Sequence, residues 1–311
     1  MNSVKKIAFI VNPSAAMGSV RRKWPEIEAL ARDRLGSFQS LFTTGPGDAT
    51  RLARSALMDG AELVVCVGGD GTLNEVVNGF MGERGSIRPE AILGFIPCGT
   101  GCDFIRTVPI PSVPRRALDL IKSTHTQAID LGRLQYRNHQ GRPSSTYFHN
   151  IVSFGLGGEV DERVNRTSKA FGGFISFILA TLISILIYDK KSIRLKVDNG
   201  VEQRIMSWNV AVANGQYHGG GMWIAPGAAV NDGLFHVTVI GDLTPREVFW
   251  HFPKLYNGKI LQIRKVRTFT GRRVEAHADS RVLLDMDGEQ PGRLPIVIDM
   301  VPDALRLITA K

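Results

Sequence analysis

The stretch from Val67 to Gly79 reads VGGDGTLNEVVNG and places one carboxylate, Asp70, among glycines after an apolar run. Glycines at a strand-to-helix turn let backbone N–H groups approach a phosphate closely. A carboxylate there can hold Mg²⁺ or accept a proton from an attacking hydroxyl, and phosphoryl transfer requires both roles. We therefore interpret Asp70 as part of a phosphoryl-transfer site. The alternative is a tight turn in which Asp70 only caps the helix.

This turn matches neither of the two common phosphate-binding patterns. It lacks the lysine of G-x-x-x-x-G-K-[ST], and GGDGTL does not have the G-x-G-x-x-G spacing. Without a loop lysine, the charge of a phosphate must be met by backbone amides and by the N-terminus of the helix that begins near Thr72. A cation is needed as well, and this need gives Asp70 a chemical reason to be there.

The first half of the chain alternates strand-like and helix-like segments, which predicts a parallel α/β sheet. The predicted strands are short apolar runs, from Ile7 to Val11, Phe38 to Thr43, Leu63 to Val67 and Ala91 to Ile96. Apolar residues between them recur at helical spacing. In an open parallel sheet, ligands bind at the carboxyl ends of the strands, so we expect the turns after these strands to form one site.

From Asp130 onward the chain changes to shorter β-type runs, such as TYFHNIVSF, SWNVAVANG and GLFHVTVI. This pattern predicts a second, mainly antiparallel domain built as a β-sandwich. We place the α/β domain at residues 1–128 and the sandwich at residues 129–302. The C-terminal tail, about 303–311, is expected to pack back on the first domain.

The composition favours a globular, basic protein. The 38 Lys and Arg residues exceed the 29 Asp and Glu residues and give a net charge of +9, which suits nucleic acid, anionic lipid or phosphorylated substrates. The three cysteines have no zinc-type spacing, so a reducing compartment is expected. No signal peptide is recognised at the start of the sequence. These features predict a cytoplasmic location.

One uncharged stretch, FGGFISFILATLISILIY from Phe171 to Tyr188, complicates this interpretation. Its length is near the lower limit for crossing a bilayer. Three interpretations compete: a core helix, a helix at the membrane surface or at a lipid entrance, and a transmembrane span. A lone span in mid-chain would place two halves of one globular unit on opposite sides of a membrane, so it is the least favoured.

Several motifs together carry a family resemblance. VGGDGTLNEVVNG resembles the signature of the diacylglycerol kinase catalytic domain, which bacterial lipid kinases share with sphingosine kinases. VNPSAAMGS, TTGPGDAT and GFIPCGTGCDFIR resemble its other N-terminal elements, and FHN, VANGQYHGGG and DMDGE resemble blocks of its second domain. The match covers nearly the whole chain. It implies an α/β domain of the NAD kinase and phosphofructokinase type followed by a mainly antiparallel sandwich.

The resemblance also implies roles for individual residues. The positions that it assigns to ATP are Asn12, Thr43, Gly69, Asp70, Gly71, Thr72, Leu73, Asn74, Glu75 and Thr100. The glutamate of the family's D-G-E block falls on Glu289, the implied proton acceptor for the lipid hydroxyl. Asp70 is implied either as a Mg²⁺ ligand or as that same base.

A structural Mg²⁺ site is implied at Asp232, with main-chain oxygens of Ala229 and Leu234 as partners. Oxygen ligands suit a hard cation. From spacing alone, however, the NDGL stretch around Asp232 is better explained as a hairpin turn without a metal.

The chain departs from the family pattern at three places. Cys102 stands where asparagine is usual, and Ala15, Ala16 and Met17 stand where a glycine and often a basic residue are expected. Gly157 and Gly158 replace a more usual Asp-Ala pair. The first two departures affect the nucleotide side, and the third leaves a lipid-headgroup contact unassigned.

These observations predict an ATP-dependent lipid kinase that uses Mg²⁺, with diacylglycerol as the expected acceptor. Its partners are expected to be the lipid substrate and, peripherally, an anionic membrane, with no nucleic acid; a homodimer is compatible with the sequence. One alternative is a kinase of a soluble substrate, since NAD kinases share a related GGDG turn. Another is a lipid-binding protein that kept the fold and lost turnover. The sequence does not name the acceptor lipid.

Overall fold

The computed structural model describes residues 6–83, 85–160 and 188–310. The chain divides into two compact units. The first unit comprises Met1–Asp130 and Pro302–Lys311, and the second comprises Leu131–Val301. The uncharged stretch from Phe171 to Tyr188 lies outside the described residues, except for Tyr188 itself. Within the described ranges, no helix is long and apolar enough to cross a bilayer.

The first unit is built on a parallel sheet. Its strands are β1 (Ile7–Val11), β2 (Gln39–Phe42), β3 (Leu63–Gly68) and β6 (Ile92–Pro97), in the spatial order β6-β3-β1-β2. At the outer side of β6, Arg306 and Leu307 of the last strand, β19 (Gly292–Ile308), pair with it in parallel. A small hairpin, β4 (Met81–Gly82) with β5 (Gly85–Ser86), follows the third helix.

Four helices cover this sheet: α1 (Ala15–Leu35), α2 (Asp48–Met58), α3 (Asp70–Phe80) and α4 (Pro114–Ser123). A single 3-10 turn, Phe104–Arg106, lies before α4. Strands β1 and β3 are buried along their whole length, which is the pattern expected where helices cover both faces of a parallel sheet. Phe9, Trp24 and Val65 are among the residues that form the core of this unit.

The second unit contains a five-stranded antiparallel sheet in the order β16-β15-β12-β9-β18. These strands are β9 (Ile151–Gly155), β12 (Asn209–Ala213), β15 (Phe235–Ile240), β16 (Val266–Gly271) and β18 (Leu284–Met286). A second sheet layer in the order β11-β10-β17-β19 uses β10 (Lys191–Val197), β11 (Gln203–Ser207), β17 (Arg273–Ala278) and β19. Side chains of both layers, such as Val210, Val237, Ile193 and Ile296, form one core. The predicted parallel α/β domain followed by a β-sandwich is therefore confirmed.

Smaller elements complete the second unit. Strand β7 (Thr126–Asn138) forms a hairpin with β8 (Pro143–Phe148), and β13 (Tyr217–His218) pairs with β14 (Met222–Trp223). The helical elements are a turn at 156–160, helix α5 (Pro245–His251), and the 3-10 turns Phe252–Leu255 and Ile260–Gln262. Helix α5 starts with a capping box, in which Thr244 and Glu247 each accept a backbone N–H of the other.

Candidate active site

The glycine turn after β3 is packed against the turn after β6. A Cβ atom on Gly99 would lie 2.5 Å from the Cα atom of Gly69, and one on Gly68 would lie 2.6 Å from the side chain of Thr72. The backbone N–H of Cys98 also donates to the carbonyl oxygen of Gly68 at 2.7 Å. Glycine is required here because the two backbones approach too closely for side chains. The carboxyl ends of two neighbouring parallel strands thus meet, as the sequence predicts.

Asp70 joins these two turns. It is the first residue of α3, and its carboxylate accepts the backbone N–H groups of Asp103 at 3.1 Å and Phe104 at 3.4 Å. The side chain is half-buried at the positive end of the helix dipole. Asp70 therefore has a role beyond its own helix, because it holds the turn after β6 in place beside the glycines.

Asn12 and Glu75 hold the neighbouring loops. The side-chain amide of Asn12 donates to the hydroxyl of Thr72 at 2.9 Å, which links the end of β1 to α3. The two carboxylate oxygens of Glu75 accept the backbone N–H groups of Gly47 at 2.8 Å and Ala49 at 3.0 Å, at the start of α2. These contacts bring three strand-end loops together, so both side chains position the loops around the glycine turn.

The other predicted nucleotide residues fall into two groups. Leu73 and Asn74 are buried, at 0% and 5% exposure, so they present almost no surface to a nucleotide. Gly71 and Thr43 are half-buried and Thr100 is exposed. Thr43 follows β2, and its backbone N–H donates to the carbonyl oxygen of Val11 at 2.9 Å. Gly71, Thr43 and Thr100 therefore present surface that a ligand can contact.

Two of the departures from the family pattern fall on left-handed backbone. Cys102 has φ +47°, and Ala16 and Met17 have φ +47° and +55°. Glycine and asparagine adopt this conformation at lower cost, which accounts for their expected presence there. Burial raises the pKa of the Cys102 thiol to about 12, and the nearby charge of Asp70 adds to the effect. The thiol is therefore protonated at neutral pH and is a packing group.

In the second unit, Asp287 and Gly288 form a two-residue hairpin turn. Both have positive φ, +50° and +85°, and the flanking Met286 and Glu289 exchange backbone hydrogen bonds at 2.8 and 2.9 Å. An Asp-Gly pair suits this turn because both central residues are left-handed. Glu289, the predicted base, is exposed directly after the turn.

Asp287 anchors this hairpin to the neighbouring strand. Its carboxylate accepts the backbone N–H of Ile151 at 2.8 Å and that of His149 at 3.3 Å. The same carboxylate lies 3.0 Å from Nδ1 of His149, and both side chains are fully buried. The position of Glu289 therefore depends on His149. Sequence analysis missed this residue, although a histidine within the apolar run TYFHNIVSF needs a polar partner once it is buried.

The predicted metal residues surround a turn before β15. The carboxylate of Asp232 accepts the backbone N–H of Leu234 at 3.0 Å and lies 3.6 Å from Nε2 of His236. Gly233 between them has φ +71°. The described residues contain no group of three or more His, Cys, Asp or Glu side chains arranged for a metal. Ala229, the third predicted residue, is half-buried three positions before Asp232.

An apolar cavity of about 90 Å³ lies inside the second unit. Its walls include Leu156, Trp208, Ile224, Val248, Phe252 and Leu255. Asn209, His218 and Asp285 form its polar part. Asp285 is 5% exposed, and its carboxylate accepts the backbone N–H of Gly288 at 3.1 Å. The cavity is thus connected, through one carboxylate, to the hairpin that carries Glu289.

The glycine pair that departs from the family pattern lies at the same cavity. A Cβ atom on Gly157 would come within 2.5 Å of the hydroxyl of Ser153 and 3.4 Å of the Asp285 carboxylate. One on Gly158 would come within 2.5 Å of the backbone of Leu283. These positions have no room for larger residues in this chain, so glycine is required where the chain passes Ser153, Leu283 and Asp285.

Two family models match the chain. The diacylglycerol kinase catalytic domain matches residues 6–134, and the YegS C-terminal NAD kinase beta sandwich-like domain matches residues 150–309. A diacylglycerol kinase of Staphylococcus carnosus is 28% identical over 293 residues, which are 94% of this chain and 90% of that protein. A protein named "Probable lipid kinase YegS-like" from Chromohalobacter salexigens is 30% identical over 248 residues, which are 78% of this chain and 74% of that protein.

Solved structures show the same fold. A diacylglycerol kinase from Bacillus anthracis str. Sterne superposes with a TM-score of 0.72 at 20% identity and covers 100% of this chain and 98% of its own. An NAD kinase from Archaeoglobus fulgidus in complex with ATP superposes with a TM-score of 0.52 at 15% identity over 97% and 93% of the two chains. Together with the two domain matches, these findings show that the chain belongs to the diacylglycerol kinase and YegS-like family of lipid kinases, which are phosphotransferases with an alcohol acceptor.

Proposed function

We propose that this enzyme transfers the γ-phosphoryl group of ATP to the hydroxyl of diacylglycerol and forms phosphatidic acid. The observation that carries the proposal is the apolar cavity whose polar part, Asp285, is hydrogen-bonded to the hairpin of Glu289. Apolar walls with a few convergent polar groups are typical of small-molecule sites. Walls as apolar as these suit a hydrocarbon chain better than a water-soluble acceptor. Relatives named diacylglycerol kinase support the choice of acceptor.

ATP fits the glycine turn of the first unit. The turn has no loop lysine, and its Gly68, Gly69 and Gly99 allow close backbone approach at the start of α3. The backbone N–H groups and the helix dipole would bind the phosphates, as at other helix N-termini. Asp70 is positioned to hold the cation that accompanies them. The side chains of Asn12 and Glu75 keep the surrounding loops in place.

Mg²⁺ also suits the residues around Asp232. A carboxylate with main-chain oxygens of Ala229 and Leu234 is a set of hard oxygen ligands, the kind that Mg²⁺ takes. An ion bound there would stabilise the turn before β15. We assign this ion a structural role, since the contacts that the structure gives for Asp232 are with Leu234 and His236 of the same turn and strand.

The chemical step begins with the lipid hydroxyl. Glu289 accepts its proton, and the hydroxyl oxygen attacks the γ-phosphorus of ATP; the bond to the β-phosphate oxygen breaks and ADP leaves. Glu289 suits this role because it is exposed, while Asp287 beside it is buried and fixes its position. Catalysis then depends on positioning and on charge stabilisation rather than on a covalent intermediate.

The test is phosphate transfer from labelled ATP to a total lipid extract, followed by identification of the labelled lipid. We expect labelled phosphatidic acid. Label in another phosphorylated lipid would keep the lipid kinase and change the acceptor. Label transferred only to a water-soluble acceptor would contradict the proposal and favour the soluble-substrate alternative. Binding of lipid without any transfer would favour the non-catalytic alternative.

A further inference from the structure

One segment of the second unit presents different surfaces to its two sides. It comprises α5 and the two 3-10 turns after it and reads PREVFWHFPKLYNGKILQ. Val248, Phe252 and Leu255 line the apolar cavity, at spacings of four and three residues. Phe249 and Trp250, between them, are 40% and 81% exposed. Helical spacing therefore places one apolar set on the cavity and a second apolar set in solvent.

The exposed set is unusual for this molecule. Of its four tryptophans, Trp24 and Trp208 are 6% and 2% exposed and Trp223 is half-buried, whereas Trp250 is 81% exposed. Tyr256 and Leu261 of the same segment are also exposed, at 36% and 44%. Exposed aromatic side chains grouped on one element mark an interaction surface, and tryptophan and tyrosine favour the interface between water and lipid.

The charge of this segment is positive. It has three basic residues, Arg246, Lys254 and Lys259, and one acidic residue, Glu247, and three more basic residues follow it directly, Arg264, Lys265 and Arg267. Lys265 pairs with Glu247 at 2.9 Å, so the acidic charge is already compensated. Arg246, Lys259 and Arg264 are exposed. This surface complements an anionic one and attracts a bilayer that contains acidic lipids.

The size of the cavity points to the same partner. Its volume of about 90 Å³ is below the roughly 300–1,000 Å³ of typical ligand pockets. The space bounded by the described residues is too small for a lipid with two acyl chains, so in the proposed function part of the substrate would remain in an apolar phase while the hydroxyl reacts. Since the α5 segment forms one wall of the cavity, its opposite side is suited to meet that phase.

We propose that this exposed surface docks on an anionic bilayer. The docking face consists of Phe249, Trp250, Tyr256 and Leu261, with Arg246 and Lys259 as basic flanks. The aromatic side chains insert at the headgroup level and the basic ones bind acidic headgroups, as in other peripheral amphipathic segments. The inward side of the same segment then contacts the acyl chain of the bound lipid. This last step rests on the proposed function, whereas docking itself does not.

The test uses the full-length protein and vesicles of phosphatidylcholine, alone or mixed with phosphatidylglycerol. Because Trp250 is the exposed one among four tryptophans, its emission reports docking directly. We expect a blue shift with the acidic vesicles, quenching by brominated phospholipids, and loss of both signals in Trp250→Phe, which should still sediment with vesicles. High salt should release the protein without detergent.

Each test variant of this face has a control variant elsewhere on the surface, which distinguishes loss of the face from a general effect of the charge change. Phe249→Asp with Trp250→Asp should lower vesicle binding about tenfold or more, because charged groups resist insertion. The control is Val201→Asp, at an 85% exposed position between β10 and β11, which should bind as the wild type does. Arg246→Glu with Lys259→Glu should weaken binding to acidic vesicles alone. Arg115→Glu with Arg116→Glu, exposed in the first unit, makes the same charge change as a control.

Three outcomes would overturn the proposal. Vesicle binding with unchanged Trp250 emission would place docking elsewhere. Wild-type binding by the Phe249 and Trp250 double variant would do the same. Conversion of a dimer to a monomer by that variant, with unchanged vesicle binding, would make this face a contact between copies of the chain.

Phosphorylation of a fluorescent short-chain diacylglycerol tests the proposed function separately from docking. If this lipid is phosphorylated but the protein does not bind vesicles, the docking proposal fails and the proposed function stands. If the protein docks but phosphorylates no lipid, the proposed function fails and the docking face stands.

Discussion

The two turns that carry the predicted reactive carboxylates use the same dipeptide in different ways. Asp70-Gly71 opens helix α3 after a parallel strand, and Asp287-Gly288 forms a two-residue hairpin after an antiparallel one. In each, the aspartate accepts two backbone N–H groups from a neighbouring loop. Asp70 stays half-buried, whereas Asp287 is enclosed with His149.

This difference separates reaction from positioning. A fully buried, paired carboxylate is held in one place and cannot reach a substrate, so Asp287 serves the exposed Glu289 beside it. Asp70 holds the 99–104 turn through two backbone N–H groups, and in the proposed function it would also hold the cation beside the phosphates. A Cβ atom at Gly101 would lie 3.7 Å from its carboxylate, so this side of Asp70 is close to the turn after β6.

The largest expected effect is that of Glu289→Gln. The change keeps the shape of an exposed side chain and removes the proton acceptor, so turnover should fall by about 10²-fold or more while ATP binding and thermal melting stay near wild type. Steady-state kinetics and calorimetry of nucleotide binding measure this. Glu202→Gln, exposed in the same unit, is the control. Near-normal turnover of Glu289→Gln would exclude Glu289 as the base.

Asp70→Asn should have the next largest effect. The amide keeps one acceptor for the N–H groups of Asp103 and Phe104 but loses the charge that would hold a cation, so turnover should fall on the order of tenfold to 10²-fold. The protein should stay folded with a modestly lower melting temperature, because one of the two hydrogen bonds is lost. If the variant unfolds and a refolded fraction is fully active, Asp70 serves only the structure of the turn.

His149→Phe tests whether His149 positions Glu289 through the Asp287 carboxylate. It leaves the Asp287 carboxylate buried without its imidazole partner, which should cost about 1–3 kcal/mol of unfolding free energy. Turnover should fall as well, because the hairpin that carries Glu289 loses an anchor. Denaturant unfolding and kinetics measure the two effects, and His277→Phe, on the more open strand β17, is the control. Full activity with lowered stability would separate His149 from Glu289.

Another Asp-Gly pair, Asp232-Gly233, lies at the proposed metal site. With the proposed structural Mg²⁺ bound at Asp232, added Mg²⁺ should raise the melting temperature, and Asp232→Asn should abolish that shift and lower activity modestly. Thermal melting with and without a chelator, with metal analysis of the purified protein, measures this. Should both measurements show no metal, the Asp232 turn is held by its own hydrogen bond to Leu234 alone.

The smallest expected effect is that of Cys102→Asn. Asparagine accepts a φ of +47° more readily than cysteine, so the variant should gain up to about 1 kcal/mol of stability. Its amide oxygen can replace the sulfur that accepts the N–H of Gly99 at 3.3 Å. Denaturant unfolding measures the gain. A clear loss of stability would show that packing of the buried sulfur contributes more free energy than the left-handed backbone of cysteine costs.

Much of the architecture could be predicted from the sequence. The apolar runs IAFIV and LVVCVG became buried parallel strands, and the shorter β-type runs of the second half became a sandwich. The expectation that turns after the parallel strands would converge is met where the turn after β3 packs against the turn after β6. These features could be predicted because they are local. The spacing of apolar residues and a run of glycines restrict the backbone conformation of their own segment, whatever its tertiary contacts.

The site was predicted less completely. Nothing near Glu75 in sequence indicated that its carboxylate would bind the backbone of Gly47 and Ala49, and no pattern linked His149 to Asp287. The apolar cavity likewise draws on segments from Leu156 to Asp285. The three interpretations of the uncharged stretch from Phe171 to Tyr188 stay open, because it lies outside the described residues apart from Tyr188.

The sequence by itself determined the order of strands and helices, the family and the types of the reactive residues, because these follow from local patterns and from motifs that are contiguous in the chain. Tertiary structure decided which carboxylate is buried and which is exposed, and which side of α5 faces the cavity. Those outcomes depend on contacts between residues far apart in sequence: Asp287 lies 138 positions from the N–H of His149 that it binds. Burial and pairing, rather than residue type, then separate a positioning carboxylate from a reactive one.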